Sequence, residues 1–340
     1  MTVNAPAETT VDFRSLLIAE LEHAGLIPDA ERVLTCRREV SRIGYEEEAA
    51  LADLVGKTLW AEALAQLGRP YPHADCERVL GFGAMLTAFM LPPVRIDDAL
   101  SREVCSLGAH ANLLVSLFDQ VADECPGAAL PLSRATVQNA CAKRGRVRLI
   151  WHRHAGPPVA RLLTRFLSAY VSRLDRLPYT SHHRALRALH TRAIIAMHAA
   201  ELETLSSARS ASFRSIRRKS ALPFVVMGMP AWLGVERGTA ATFHAHLRWL
   251  YRLGNFFGFI DDAADLGADR AAGRPNRVAQ LLAREPDECA CDGYTALARG
   301  IASQGRRIME QRRAWASRAA SVADDVLTTT LLSWLDAIPR

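Results

Sequence analysis

Apolar residues recur at helical spacing along almost the whole chain. Residues 46–67 (EEEAALADLVGKTLWAEALAQL) put acids first and apolar residues at i, i+3 and i+4, which predicts an amphipathic helix. Gly68, Pro70 and Pro72 close it. The same period predicts helices over 73–90 and 97–125, parted by Pro92 and Pro93, then a loop around 126–131. Helices follow over 132–145, 157–176 and 182–207. A short basic segment at 210–219 precedes an apolar stretch, 221–235, whose glycines and prolines predict a broken, buried helix. One long helix is expected over 239–270, and three more over 276–285, 292–318 and 319–337. No run of five to eight residues alternates convincingly, so no sheet is expected. The expected architecture is one all-α domain over 11–340, with a disordered N-terminus over 1–10.

Composition narrows the class. Of 340 residues, 49% are hydrophobic and 23% charged, which excludes general disorder. The longest apolar run, Ala221–Gly234, is interrupted by Pro223 and Pro230 and is too short to span a bilayer. The opening MTVNAPAETT lacks a secretory pattern, so a cytoplasmic protein is expected. The net charge is +6, but basic residues are scattered apart from 143–153 and 214–219, and no nucleic-acid signature accompanies them. The seven cysteines show no metal spacing (Cys289 and Cys291 form a C-x-C), and reduced thiols are expected.

Three charged segments carry candidate chemistry. In LLVSLFDQVADE at 113–124, Asp119 and Asp123 share a helix face one turn apart, with Glu124 about 100° round from Asp123. These acids end an apolar helix, where the macrodipole is unfavourable to them, so either a cation compensates or the end is solvated. In NFFGFIDDAADLGADRAAGRPN at 255–276, Asp261, Asp265 and Asp269 recur at i, i+4 and i+8, with Asp262 adjacent. No Lys or Arg interrupts this stripe before Arg270, and hard oxygen donors at this density suit Mg²⁺. In FRSIRRKSA at 213–221, Arg214, Arg217 and Arg218 share a face and Lys219 follows. Alone, that is a cation-decorated helix end. Together, the segments form a kit for metal-bound diphosphate, with arginines gripping phosphate oxygens.

These residues resemble a class I terpene synthase of the bacterial type, in the isoprenoid synthase superfamily. The family's metal-binding triad matches Asp261, Asp265 and Asp269, followed by Arg270, Gly273 and Asn276. Its diphosphate-sensing arginine matches Arg217, with Ser220 as linker and Ala221 at the helix-break position. Its first aspartate-rich motif corresponds to Asp119 and Asp123. Departures are the D-x-x-x-D-E form of that motif, Asp269 in place of Glu, Ala221 in place of Gly, and no Arg-Tyr pair near the C-terminus. The trans-isoprenyl diphosphate synthases, which share the fold, are also similar in Lys219-Ser220 and in DDAAD at 261–265. A prenyltransferase and a non-catalytic binding protein derived from the fold are further alternatives.

The resemblance implies a helical bundle around a central apolar cavity, three Mg²⁺ ions, a prenyl diphosphate substrate and a possible homodimer. It implies metal ligands at Asp119, Asp123, Glu124, Asp261, Asp262, Asp265 and Asp269. Arg217, Arg218, Lys219 and Arg270 would hold the diphosphate. Asn112, Val115 and Phe118 on one helix, Trp249, Leu253 and Phe257 on the other, and Ala221 between them would enclose the carbocation.

Overall fold

In a computed structural model, the described residues are 12–66, 73–124, 132–142, 158–177, 183–206, 212–235, 238–283, 290–315, 324–327 and 329–330. They form thirteen α-helices and one 3-10 helix, and no strand is found among them. In chain order these are α1 (Phe13–His23), α2 (Ala30–Val55), α3 (Lys57–Gln66), α4 (His73–Phe89), α5 (Asp98–Glu124), α6 (Arg134–Ala142) and α7 (Pro158–Leu174). Then come α8 (His183–Ser206), α9 (Phe213–Gly228), α10 (Ala240–Ala264), α11 (Leu266–Ala272), α12 (Arg277–Leu282) and α13 (Ala290–Trp315). The 3-10 helix, Pro230–Gly234, links α9 to α10. The expected loop at 126–131 and most of 319–337 lie outside the described residues.

Local chemistry starts the helices where the sequence allows. Asp29, Ser212 and Thr239 cap α2, α9 and α10 by accepting from Arg32, Ser215 and Thr242 backbone N–H groups at 2.9–3.1 Å. Packing then orders them. α4 lies between α2 and α5, and α9 lies between α8 and α10. α13 joins α1 to α10. One apolar cluster runs through these contacts from Phe13 to Leu327. No helix among the described residues is long and apolar enough to cross a membrane.

Three expected elements differ. The helix expected over 46–67 is divided at Gly56, whose φ of +92° only glycine adopts readily. The helix expected over 239–270 bends at Asp265, where α10 gives way to α11. The break expected around Ala221 is absent, because α9 runs through it to Gly228. Pro223 removes the N–H that would bond the Lys219 carbonyl, but its fixed φ is helical and the turn persists. Packing supports this stretch. A Cβ on Gly254 of α10 would meet the Ala221 Cα at 2.7 Å, and one on Gly258 the Ser220 Cβ at 2.4 Å, so the two glycines let the helices touch.

Candidate active site

The C-terminal end of α10 carries the acidic stripe. Asp265 N–H bonds the Asp261 carbonyl at 2.9 Å and Asp269 N–H the Asp265 carbonyl at 2.8 Å, so helical register survives the bend. The acids then have different fates. Asp269 accepts from Arg274 Nε at 2.8 Å and from Asn276 Nδ2 at 2.9 Å. Asn276 also donates to the Asp262 carbonyl at 2.7 Å and caps α12, which ties the α11–α12 turn to α10. Asp262 accepts from Arg277 Nε at 2.5 Å. Arg277 is wholly buried, with its guanidinium 4.6 Å over the Phe259 ring. Asp262 and Asp269, two of the acids which the resemblance implies as metal ligands, are therefore engaged by protein partners.

Asp261 and Asp265 have no side-chain partner among the described residues, and both are accessible. Burial nevertheless pushes Asp261 up to about 7, helped by the charges of Asp262, Asp265 and Asp119 and opposed by Lys219. Asp261 is thus open to solvent yet crowded by neighbouring carboxylates. Burial and Asp269 also raise Asp265, against Arg274 and Arg14.

Close to them stands Asp119 of α5, whose charge raises both Asp261 and Asp265. Lys219 of α9 donates to Asp119 Oδ1 at 2.7 Å and lies 2.7 Å from Glu201 Oε1 of α8. Burial drives Glu201 up to about 8; Lys219 opposes this, and Asp119 adds to it. Burial would raise Asp119 too, but the Lys219 charge and hydrogen bonds from Glu201 and Lys219 outweigh it and hold it low. Desolvation would lower Lys219, and Glu201 and Asp119 raise it instead, so its ammonium persists. The side chains of Asp123 and Glu124 lie outside the described residues, although their backbone extends α5.

The other expected contacts separate into two groups. Arg217 is exposed, 5.4 Å from the Tyr251 ring, and makes no ion pair among the described residues. Arg218 is half-buried and Arg270 exposed, and neither has an ion-pair partner among the described residues. Lys219 is thus the cation of this segment that reaches the acids. Asn112 and Val115 share the Asp119 face of α5, and Asn112 donates to the Val79 carbonyl at 2.9 Å. Phe118 is turned toward α8, edge-on to His198 at 5.5 Å. Ala221 is buried against Gly254.

Helix geometry explains the hydrophobic side. Each step of four residues back from Asp261 rotates the side chain by about 40°. Phe257 remains near the acids, between Phe224 at 5.0 Å and Phe82 at 6.3 Å. Leu253 and Trp249 rotate further and are fully buried. Trp249 packs 5.6 Å from Phe89 and donates to the Ile308 carbonyl at 3.2 Å, so it belongs to the core rather than to a cleft wall.

Sequence reasoning missed Glu201, Arg274, Arg277 and Arg14. Arg14 donates to the Ala264 carbonyl at 3.0 Å and lowers Asp265 by its charge. Only the two short-range partners had a local signal, since Arg274 and Arg277 flank the Pro275-Asn276 turn just after the stripe.

No family model matches the chain, and no curated protein matches it in sequence. Among solved structures, it is similar to the geranylgeranyl pyrophosphate synthetase of Pyrococcus horikoshii Ot3. Identity is 14% and the TM-score 0.51, over 90% of this chain and 98% of that one. It also aligns with a T. brucei farnesyl diphosphate synthase complexed with a bisphosphonate, at 12% identity and TM-score 0.34, over 94% of this chain and 96% of that one. The first likeness establishes the fold: an all-helical bundle like that of the Pyrococcus synthetase.

Proposed function

We propose that the chain is a Mg²⁺-dependent enzyme that ionises a prenyl diphosphate, and that it is a class I terpene synthase releasing a terpene hydrocarbon or alcohol. One observation carries this reading. Asp261 and Asp265, with no side-chain partner among the described residues, lie near the Lys219–Asp119 pair and one turn or more beyond Phe257, which packs between Phe82 and Phe224.

Asp261 and Asp265 fit a hard divalent ion, being one turn apart, accessible and without protein partners among the described residues. Such an ion, when bound, would neutralise diphosphate oxygens and make the group a better leaving group. Lys219 and Arg274 add positive charge where negative charge builds up as the C–O bond breaks. Arg217, Arg218 and Arg270 stand free to close on the outer phosphate. The aromatic faces shield the allylic cation from water and stabilise it by about 0.5–2 kcal/mol each.

A second reading, a trans-isoprenyl diphosphate synthase, is favoured by Lys219-Ser220 with its ammonium on Asp119, and by the fold shared with the Pyrococcus synthetase. One experiment separates them. The protein is incubated with Mg²⁺ and farnesyl, geranylgeranyl or copalyl diphosphate, each with and without isopentenyl diphosphate, and extracts taken before and after phosphatase treatment, which frees any diphosphate product as its alcohol, are analysed by gas chromatography–mass spectrometry. A hydrocarbon or alcohol from one diphosphate alone identifies a cyclase. A longer diphosphate that forms only with isopentenyl diphosphate identifies chain elongation and refutes the terpene synthase reading.

A further inference from the structure

The α10 and α5 sides of this acidic cluster differ in what they offer a metal. On the α10 side, Asp261 and Asp265 have no side-chain partner among the described residues. On the α5 side, Asp119 already has a cation. The Lys219 ammonium sits 2.7 Å from Asp119 and 2.7 Å from Glu201, so it is bound within the protein by both side chains. Glu201 is buried and Lys219 is held between two helices besides its own, so the ammonium is not a loose surface group. Asp269 and Asp262 are likewise taken by Arg274, Asn276 and Arg277.

We infer that Lys219 occupies the place of the α5-side metal, so that this chain holds a single tightly bound divalent ion, at Asp261 and Asp265, with Lys219 as a built-in second cation. The inference rests on the proposed reading of this acidic cluster as a metal–diphosphate site, and it departs from the three ions which the resemblance implies. Its physical basis is competition for one carboxylate. An ion reaching Asp119 must displace an ammonium already bound there, and must leave Glu201 and Lys219 with new partners. An ion reaching Asp261 displaces only water and relieves repulsion among like charges.

The test counts Mn²⁺ bound per chain by electron paramagnetic resonance, with inorganic diphosphate present. The wild type is expected to bind about one ion tightly. Asp261→Asn should lose it, and Asp119→Asn should keep it. Lys219→Met should gain a second ion because the α5 carboxylate is released, whereas Lys219→Arg should stay at one. Two or three tight ions in the wild type would overturn the inference while leaving the proposed function intact. So would loss of the single ion in Asp119→Asn. An unchanged count in a Lys219→Met protein that melts as the wild type does would also overturn it. No Mn²⁺ binding to the wild type would remove both this inference and the metal–diphosphate reading beneath it.

Discussion

Two stretches of α10, about 22 Å apart along its axis, treat buried polarity in opposite ways. Near the N-terminal end, the His246 ring accepts from Trp232 Nε1 at 2.9 Å and donates through Nε2 to the Met90 carbonyl at 2.9 Å. Trp249 stacks 5.8 Å from that ring and finds its own acceptor in Ile308. Near the C-terminal end, Asp261 and Asp265 are crowded by carboxylates and have no side-chain partner among the described residues. The contrast teaches how to read a buried polar group. Partnered groups stabilise the fold, while an unpartnered charge costs stability and is retained where a ligand can complete it.

The sharpest way to break this comparison is at the packed end. Trp249→Ala should destabilise the fold by about 3–5 kcal/mol, measured by urea denaturation, since it removes a fully buried indole and its hydrogen bond to the Ile308 carbonyl. A loss below about 1 kcal/mol would place Trp249 at a yielding surface and reopen its role as a cleft residue.

Acid should weaken the same end. Burial drives His246 down to about 4, although its bond to Met90 opposes this. The folded form thus binds its proton less readily than the unfolded chain, whose histidines titrate near 6.5. Stability from this neutral ring is complete above about 6.5 and is lost as pH falls toward 4, by about 3 kcal/mol. Thermal melts across that window should show His246→Gln losing less stability than the wild type as pH falls. Parallel pH profiles for the two proteins would contradict the buried neutral ring.

At the open end the signs reverse. Asp261→Ala should lower turnover by at least about 10²-fold, since electrostatic stabilisation of a leaving group is worth about 3–4 kcal/mol. Its melting temperature should hold or rise, because a desolvated, repelled carboxylate is gone. EDTA should abolish turnover and Mg²⁺ restore it. A drop in stability like that of Trp249→Ala would make Asp261 a structural residue and erase the contrast.

The smallest effect concerns the arginines. Arg217→Lys keeps the charge but loses the two-pronged donor, and kcat should fall several-fold (about 1 kcal/mol) if the side chain closes on diphosphate. Arg214→Lys should be nearly silent. Equal, near-wild-type rates would remove Arg217 from the diphosphate contacts and leave Arg218 and Lys219 as the candidate cations of α9.

Much of the fold was legible because helix punctuation is local. Pro92-Pro93 and Pro157-Pro158 bracket α5 and α7 to within a residue or two of the expected limits. Continuity of α9 was not legible, because Gly254 and Gly258 on another helix support the turn around Pro223. In the site, the acidic stripe was legible from its period alone. Which of its acids remain open was not, because Arg274 and Arg277 return to it only after the chain reverses at Gly273, where φ is +65°.

Amino-acid order alone determined the all-helical class, most helix limits and the i, i+4, i+8 carboxylates, since each depends on contacts within a few turns of one helix. Tertiary structure decided the charge balance. Lys219 and Asp119 are 100 residues apart and meet at 2.7 Å, while Arg217, two residues away, lies over Tyr251. Two residues are a 200° turn on a helix, so which cation faces the acids depends on how α9 is rotated against α5, α8 and α10. That rotation is set by the glycines of α10 and the buried Glu201 of α8, whose effect appears only once the helices are packed.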